Sequence, residues 1–222
     1  MIKAVIFDMY ETLVTHYECP LYFSAEIAQD AGIPQERFQV LWRPTDHART
    51  VGEMTLEQVI EDILRDSGCY SEELMNRIVS KRKGTKEELF RHLHPEIIPM
   101  LEQLKAQDLQ IGLISNCFSE EAEVIRDSVL FPYFDAPCLS YELGMKKPDH
   151  NIFRYCMDRL SVEPEECLYV GDGGSYELET ATQLGMKVVQ ALWYIKEGTS
   201  SPVSRKEGFI QAETPLEILK NI

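Results

Sequence analysis

The chain has 222 residues, of which 44% are hydrophobic and 27% are charged, and its formal net charge is −15. This excess of acidic residues argues against a nucleic-acid partner, because a phosphate-binding face needs clustered Lys and Arg. No apolar stretch approaches the ~20 residues that a membrane span requires, and the first residues lead straight into a predicted strand, with no room for a signal peptide. The six cysteines lack metal-binding spacing. We therefore expect reduced thiols and a cytoplasmic protein, either a monomer or a homodimer.

Predicted strands and helices alternate at the start of the chain and again through its second half. The segment Ala4–Phe7 is apolar throughout, which is typical of a strand buried on both faces of a parallel sheet. Similar apolar segments predict strands at 109–114, 136–140, 167–171 and 187–191. Helices are predicted at 97–106, 120–127, 151–160 and 177–184, with a last one after Thr214. This alternation predicts an α/β fold with a Rossmann-like three-layer core and a mainly parallel sheet.

The residues between the first two strands have a helical pattern and contain no strand-like segment. One helix is predicted at 21–31 and a second begins after a capping box at Thr55. A third is predicted from Ser71 to about Lys83, before Gly84. We therefore predict a small all-helical cap domain at 16–89, inserted into a catalytic core formed by 1–15 and 90–222.

Polar residues follow four of the predicted strands, at the sheet edge where open α/β sheets bind their ligands. Taken singly, each has an ordinary structural explanation, such as a turn-forming Asp or a Ser that caps a helix. Together they form a set suited to phosphate chemistry. In chain order they are Asp8, Ser115 with Asn116, Lys147, and Asp172 with Glu177.

The order and spacing of these segments resemble the four motifs of the haloacid dehalogenase superfamily of hydrolases. The matching segments are 8–12, 113–116, 144–149 and 170–177. In that family a helical cap is inserted after the first motif, where the predicted helical block lies in this chain. The resemblance implies that Asp8 is a nucleophile that forms a covalent aspartyl intermediate. It also implies that Ser115 and Asn116 bind the oxygens of the transferred group, and that Lys147 neutralises charge.

The resemblance further implies a Mg²⁺ ion held by Asp8, Asp172 and the main-chain carbonyl of Tyr10, with Glu177 as a supporting acid. Two carboxylates ~4 Å apart repel by about 4 kcal/mol at an effective dielectric constant near 20. A lysine offsets only part of this repulsion among three acids. A divalent cation with oxygen ligands removes the rest.

Tyr10 departs from the pattern of most phosphatases of this family, which carry a second Asp at that position as general acid and base. The Asp-x-Tyr pattern is typical of the metal-independent 2-haloacid dehalogenases, whereas the pair Gly171-Asp172 is typical of the Mg²⁺-dependent phosphatases. A phenol with a pKa of ~10 can donate a hydrogen bond at neutral pH but is a poor base. We therefore expect slow turnover or a preference for good leaving groups.

Three functions agree with these features. The first is a Mg²⁺-dependent phosphatase of a small phosphorylated metabolite, and the second is hydrolytic dehalogenation of a short 2-haloacid at Asp8 without a metal. The third is a catalytically weak protein that binds a phosphorylated ligand or a protein partner. Within the cap, Arg43, His47 and Arg49 could contact an anionic substrate, although basic residues of this kind more often lie on a solvated helix face.

Overall fold

The computed structural model of the chain describes residues 1–195 and 203–222. Its strands form one sheet with the order β3-β2-β1-β4-β5-β6, and every strand pair in the described residues is parallel. The strands are β1 (Ala4–Phe7), β2 (Gln110–Ser115), β3 (Ala136–Leu139), β4 (Cys167–Gly171), β5 (Lys187–Ala191) and β6 (Ile210–Ala212). The predicted α/β fold is confirmed. The strand β6 was not predicted, because three residues are too few to form a recognisable apolar segment.

Helices cover both faces of the sheet, which gives the three layers expected from the sequence. Along β1, Val5 and Phe7 face one apolar cluster while Ala4 and Ile6 face the other, as the alternation of a strand requires. The helices of the core are α6 (Ile97–Ala106), α7 (Ser119–Asp127), α8 (Ser140–Leu143), α9 (His150–Leu160) and α10 (Glu177–Leu184). The end of the chain, where a helix was predicted after Thr214, forms a 3₁₀ helix at Pro215–Asn221.

The remaining helices form a segment between β1 and α6 that packs around an apolar cluster of its own. They are α1 (Ser24–Ala31), α2 (Gln35–Trp42), α3 (Asp46–Thr50), α4 (Leu56–Asp66) and α5 (Glu72–Leu89). Thr55 caps α4 and Ser71 caps α5, as predicted. The prediction that the last of these helices ends before Gly84 was wrong, since α5 runs on to Leu89. A glycine costs a helix only about 1 kcal/mol, and burial of Arg82, Lys86 and Leu89 on one face of α5 outweighs it.

Two close contacts hold the helical segment over the carboxyl edge of the sheet. The Ser140 hydroxyl donates to the carbonyl of Thr50 at 2.8 Å. Gly52 adopts a φ of +78°, and a Cβ at this position would lie 2.1 Å from the carbonyl oxygen of Tyr141. Only glycine therefore allows this approach. On the core side, the indole N–H of Trp193 donates to the carbonyl of Thr12 at 2.8 Å and fixes the segment that follows β1.

All six cysteines are free thiols. Among the described residues, no helix has the length and apolar character needed to cross a membrane.

Candidate active site

Asp8 lies directly after β1 at the carboxyl edge of the sheet. Its backbone N–H donates to the carbonyl of Val170 at 2.9 Å, which continues the pairing of β1 with β4. The side chain is 7% exposed. Its Oδ1 accepts one hydrogen bond from the backbone N–H of Met9 at 2.7 Å and another from the Lys147 ammonium group. These two donors fix the orientation of the carboxylate.

Asn116 holds the backbone of Lys147 in position. The side-chain carbonyl of Asn116 accepts from the Lys147 N–H at 2.7 Å, and its amide group donates to the Lys147 carbonyl at 3.0 Å. This two-point contact links the end of β2 to the segment before α9 and aims the lysine at Asp8. The structure thus shows Asn116 as a positioning residue, and direct contact of its side chain with a phosphate stays a prediction.

Ser115 is the last residue of β2 and is fully buried. Its hydroxyl has no hydrogen-bond partner within the described part of the chain. Leaving a buried hydroxyl unpaired costs about 1–3 kcal/mol, so such a group calls for an explanation. A hydroxyl at this sheet edge is suited to donate to an oxygen of a bound substrate, as the sequence predicts.

The segment after β4 carries two acids with different surroundings. Oδ1 of Asp172 accepts from the Gly174 N–H at 3.0 Å. Both oxygens of Glu177 are engaged by the loop itself, because they accept from the backbone N–H groups of Gly173 and Ser175, each at 2.6 Å. Gly173 has a φ of +102°, which this tight loop requires. Glu177 therefore shapes the loop, and Asp172 has fewer contacts with it.

Asp8, Asp172 and Glu177 come together in a buried cluster, in which one oxygen of each lies within 4.8 Å of the others. Burial raises the pKa of the Asp8 carboxyl to about 6, against the opposing charge of Lys147 and with a further contribution from Glu177. Burial, followed by the charges of Asp8 and Glu177, raises the pKa of Asp172 well above its ordinary value. Burial alone would lower the pKa of the Lys147 ammonium group, but Asp8 and Glu177 raise it. The cluster therefore lacks positive charge.

Tyr10 lies two residues beyond Asp8, and its ring stacks on His16 at a centroid distance of 4.8 Å. Burial and the nearby charge of Glu121 raise the pKa of the phenol well above its ordinary value. The group therefore stays protonated at neutral pH and cannot act as a base. His16 in turn is placed by Glu11, whose Oε1 lies 3.0 Å from its Nδ1, and by Lys86, whose ammonium lies 2.7 Å from its Nε2.

A cleft of about 400 Å³ lies between the helical segment and the sheet edge. From the core it is lined by residues that include Tyr10, Asn116 and Lys146, each of which is within two residues of a residue predicted to act in catalysis or in phosphate binding. From the helical segment it is lined by residues that include Trp42 and Arg49. Asn116 lines this cavity, and Asp8, Ser115 and Lys147 are each within two residues of a lining residue. The volume is in the range that suits a small metabolite.

Comparison with known proteins assigns the family. The model of the haloacid dehalogenase-like hydrolases matches residues 2–185, most of the chain. The chain belongs to this family. The curated relatives of this haloacid dehalogenase-like hydrolase include a glyceraldehyde 3-phosphate phosphatase from Methanocaldococcus jannaschii, which is 27% identical over 199 residues and 86% covered in each chain.

Solved structures of the family share the fold of this hydrolase. A 2-haloacid dehalogenase from Pseudomonas syringae pv. Tomato DC3000 superposes with a TM-score of 0.69 at 23% identity, over 99% of this chain and 97% of the other. A HAD phosphatase from Thermococcus onnurineus gives a TM-score of 0.67 at 20% identity, with the same coverage. At such identities these likenesses establish the fold alone, so the choice between phosphatase and dehalogenase rests on the site.

A buried charge network beside the cleft of this hydrolase was not foreseen from the sequence. Arg82 in α5 pairs with Glu120 at 3.0 Å and with Glu121 at 3.3 Å, and Lys86 pairs with Glu121 at 2.6 Å. Burial lowers the pKa of Lys86 to about 8. Burial alone would raise the pKa of Glu121, but Lys86 and Arg82 lower it to about 2. The only available signal was the helical spacing of Arg82 and Lys86, which a solvated face would also produce.

Of the basic residues considered as substrate contacts, only Arg49 lines the cleft. Arg43 and His47 are exposed, and neither is part of the cleft lining. The side chain of Arg43 donates to Gln39 at 3.0 Å on the outer surface of α2. The expectation that Arg43 and His47 face the substrate therefore has no support from their positions. Trp42 is packed inside the helical segment, between Phe38 and Arg49.

Proposed function

We propose that this hydrolase is a Mg²⁺-dependent phosphatase of a small phosphorylated metabolite, working through an aspartyl-phosphate on Asp8, with residues 16–89 as its cap. The observation that carries the proposal is the buried cluster of three carboxylates with a single lysine. Water does not screen charges at such a site, so the cluster favours a divalent cation. A metal-independent dehalogenase has no use for the acid at position 172.

The donor set fits Mg²⁺, which prefers oxygen ligands and one or two carboxylates. Asp8, Asp172 and the main-chain carbonyl of Tyr10 would hold the ion, and Glu177 would support it by fixing the loop that carries Asp172. When bound, the ion supplies positive charge to the phosphate oxygens and to the nucleophile.

Each residue of the site then has its own role in the reaction. An oxygen of Asp8 attacks phosphorus, a new P–O bond forms, and the P–O bond to the leaving group breaks. An acid leaves as its carboxylate, whereas an alkoxide takes a proton from solvent water. Lys147 and the Ser115 hydroxyl hold the phosphoryl oxygens as their charge increases. Water next attacks the phosphorus of the aspartyl-phosphate and the P–O bond to Asp8 breaks. The carboxylate is restored, and the protons of the water leave on the inorganic phosphate. Because the Tyr10 phenol stays protonated, it can hydrogen bond to the leaving oxygen but cannot deprotonate the water.

A substrate panel tests the proposal. The purified protein is assayed against p-nitrophenyl phosphate, acetyl phosphate and L-2-chloropropionate, each with Mg²⁺ and with EDTA. We expect phosphate release from the first two that requires Mg²⁺ and is abolished by EDTA. Chloride release in EDTA would instead support the dehalogenase alternative, which the Asp-x-Tyr pattern at Asp8 and Tyr10 favours. Inactivity towards all three would favour a binding protein.

Binding of Mg²⁺ should depend on pH, because protons compete with the ion for Asp8 and Asp172. Both carboxyls have raised pKa values in the metal-free fold, about 6 for Asp8. Without the ion, their ionisation destabilises the fold as pH rises above the ordinary range of an aspartate, and Mg²⁺ relieves this. At pH 7.5 and 100 times the dissociation constant, we expect stabilisation by about 2.7 kcal/mol.

Thermal unfolding with and without Mg²⁺ measures this effect at pH 7.5 and pH 5.5, and the gain should be smaller at the lower pH. Asp172→Asn should lose the gain. Asp149→Asn is a matched control, because Asp149 is an exposed helix cap that asparagine can replace. A gain that is equal at both pH values, or that survives in Asp172→Asn, would contradict the proposed site.

A further inference from the structure

The cleft is basic although the chain is strongly acidic. Four basic residues and two acidic ones line it, in a protein with a formal net charge of −15. Two of the basic residues, Arg82 and Lys86, are already paired with buried glutamates of α7. The remaining charged residues of the lining are Arg49 and Lys146, opposed only by Asp46, so the cleft keeps an excess of positive charge. Such a cleft attracts anions beyond the phosphoryl group itself.

Arg49 occupies an unusual position within this cleft. Its side chain is 2% exposed and lies between two aromatic rings, with Cζ 3.9 Å from the ring centroid of Trp42 and 4.1 Å from that of Phe118. The faces of the guanidinium plane are thus covered, and only its edge can reach a hydrogen-bond acceptor. Nε donates to the Thr45 hydroxyl at 2.9 Å, and Nη2 lies 3.8 Å from Asp46.

The other terminal nitrogen of Arg49 has no acceptor. Nη1 is buried and lacks a hydrogen-bond partner among residues 1–195 and 203–222. An arginine stays charged under all ordinary conditions, and a buried charge with an unused donor is costly unless an acceptor is supplied. The contact with Asp46 does not meet this need, because it is made by Nη2 and its 3.8 Å is too long for a hydrogen bond. A ligand that enters the cleft can supply the acceptor.

Arg49 is tied to the same loop that carries the predicted phosphate-binding serine. Phe118 lies three residues after Ser115, a separation of at most about 11 Å along the chain. The next residue after Arg49, Thr50, accepts a hydrogen bond from Ser140, and the Ser140 hydroxyl in turn accepts from the backbone N–H of Cys117 at 2.9 Å. This chain of contacts holds Arg49 against the loop that follows Ser115.

We propose that the substrate is a phosphomonoester that also carries a carboxylate, and that Arg49 binds this carboxylate through the edge of its guanidinium group. This inference rests on the phosphatase activity proposed above. A carboxylate is planar and presents two oxygens to the fork of an arginine, so it fits a slot bounded by two rings. Arg49 thereby selects substrates that carry this second anionic group.

The test compares two ligands that differ only at the relevant end. In 3-phosphoglycerate a carboxylate stands where glycerol 3-phosphate has a hydroxymethyl group. Titration calorimetry measures both affinities without turnover in the Asp8→Asn protein, at a Mg²⁺ concentration that a prior Mg²⁺ titration of this variant shows to be saturating. We expect 3-phosphoglycerate to bind roughly 10- to 100-fold more tightly, the value of a charge-assisted contact in a buried site. Equal affinities, or binding of neither compound, would overturn the proposal. So would tighter binding of propane-1,3-diol bisphosphate, which would indicate a site for a second phosphate.

Variants then test whether Arg49 is the residue that causes the preference for 3-phosphoglycerate. In an Asp8→Asn background, Arg49→Met should reduce the affinity ratio of the two ligands to near 1. Arg43→Met makes the same chemical change on the exposed side of the same segment and should leave the ratio unchanged. If Arg49→Met fails to fold, Arg49→Lys replaces it. Lysine keeps the charge without the two-pronged edge, so the ratio should fall to an intermediate value. A ratio that is undiminished in either Arg49 variant would overturn the assignment.

These outcomes separate the two proposals. Turnover of p-nitrophenyl phosphate without a preference for 3-phosphoglycerate would leave the phosphatase activity standing and remove the role of Arg49. A clear preference for 3-phosphoglycerate in a protein that hydrolyses no phosphate ester would leave the role of Arg49 standing and remove the phosphatase activity.

Discussion

Replacing Asp8 by asparagine should reduce phosphatase activity by at least about 10⁴-fold, because the amide cannot attack phosphorus and only binding effects remain. Neighbouring contacts should survive, since the amide oxygen can still accept hydrogen bonds from Met9 and Lys147. Initial rates with p-nitrophenyl phosphate at saturating Mg²⁺ measure the loss. Acid quenching of the wild-type reaction, followed by peptide mass spectrometry, should find one phosphoryl group on the peptide that contains Asp8.

Asp149→Asn serves as the control for this change, because it makes the same substitution at an exposed aspartate near Lys147. Its activity should stay within a factor of about two, as expected for a conservative exchange of helix cap. Retention of a phosphoryl label in the Asp8→Asn protein, or activity within tenfold of the wild type, would exclude Asp8 as the nucleophile.

Glu121→Gln should lower the free energy of unfolding by about 3–5 kcal/mol at pH 7, because it leaves the buried cations Arg82 and Lys86 without their shared charge partner. The pKa of the Glu121 carboxyl is about 2 in the fold, against an ordinary value of 4.5. Its contribution is therefore complete above pH 4.5 and is lost as pH falls towards 2. Urea unfolding followed by circular dichroism at pH 7 and pH 3.5 should show a smaller difference at the lower pH.

Glu123→Gln is the matched control on the same helix. Glu123 is exposed and pairs with Lys83 at 2.5 Å on the surface, so its replacement should cost less than about 1 kcal/mol. If both variants lose the same stability, the buried network between α5 and α7 does not hold the helical segment to the core.

The site residues at the sheet edge could be located from the sequence because each follows an unbroken apolar segment. Such a segment marks a buried parallel strand, and parallel strands end at a common edge. Asp8, Ser115 and Asp172 are therefore placed by strand ends alone. Lys147 does not follow β3 directly, because α8 lies between them. The direction of its side chain depends on the contact with Asn116, which no local sequence pattern predicts.

The orientation of the helical segment could not be derived in the same way. Arg43 and Arg49 are six residues apart. In a continuous helix this separation would fix the angle between their side chains around the helix axis. The 3₁₀ turn at Arg43–Thr45, which contains Pro44, interrupts the helical phase between them. Which of the two arginines faces the cleft is consequently decided by tertiary packing. The same holds for Lys86, whose partner Glu121 lies 35 residues further along the chain and in a different helix.

The chain carries two tryptophans, and they lie in different packed clusters. Trp42 belongs to the helical segment and covers Arg49, whereas Trp193 packs on the core and anchors the segment after β1. A Trp193→Phe protein would leave a fluorophore that senses only the helical segment, and Trp42→Phe one that senses only the core. Coincident emission transitions in the two proteins would mean that the helical segment and the core unfold as one cooperative unit. Separate transitions would mean that the buried ion pairs between α5 and α7 do not keep the two parts folded together.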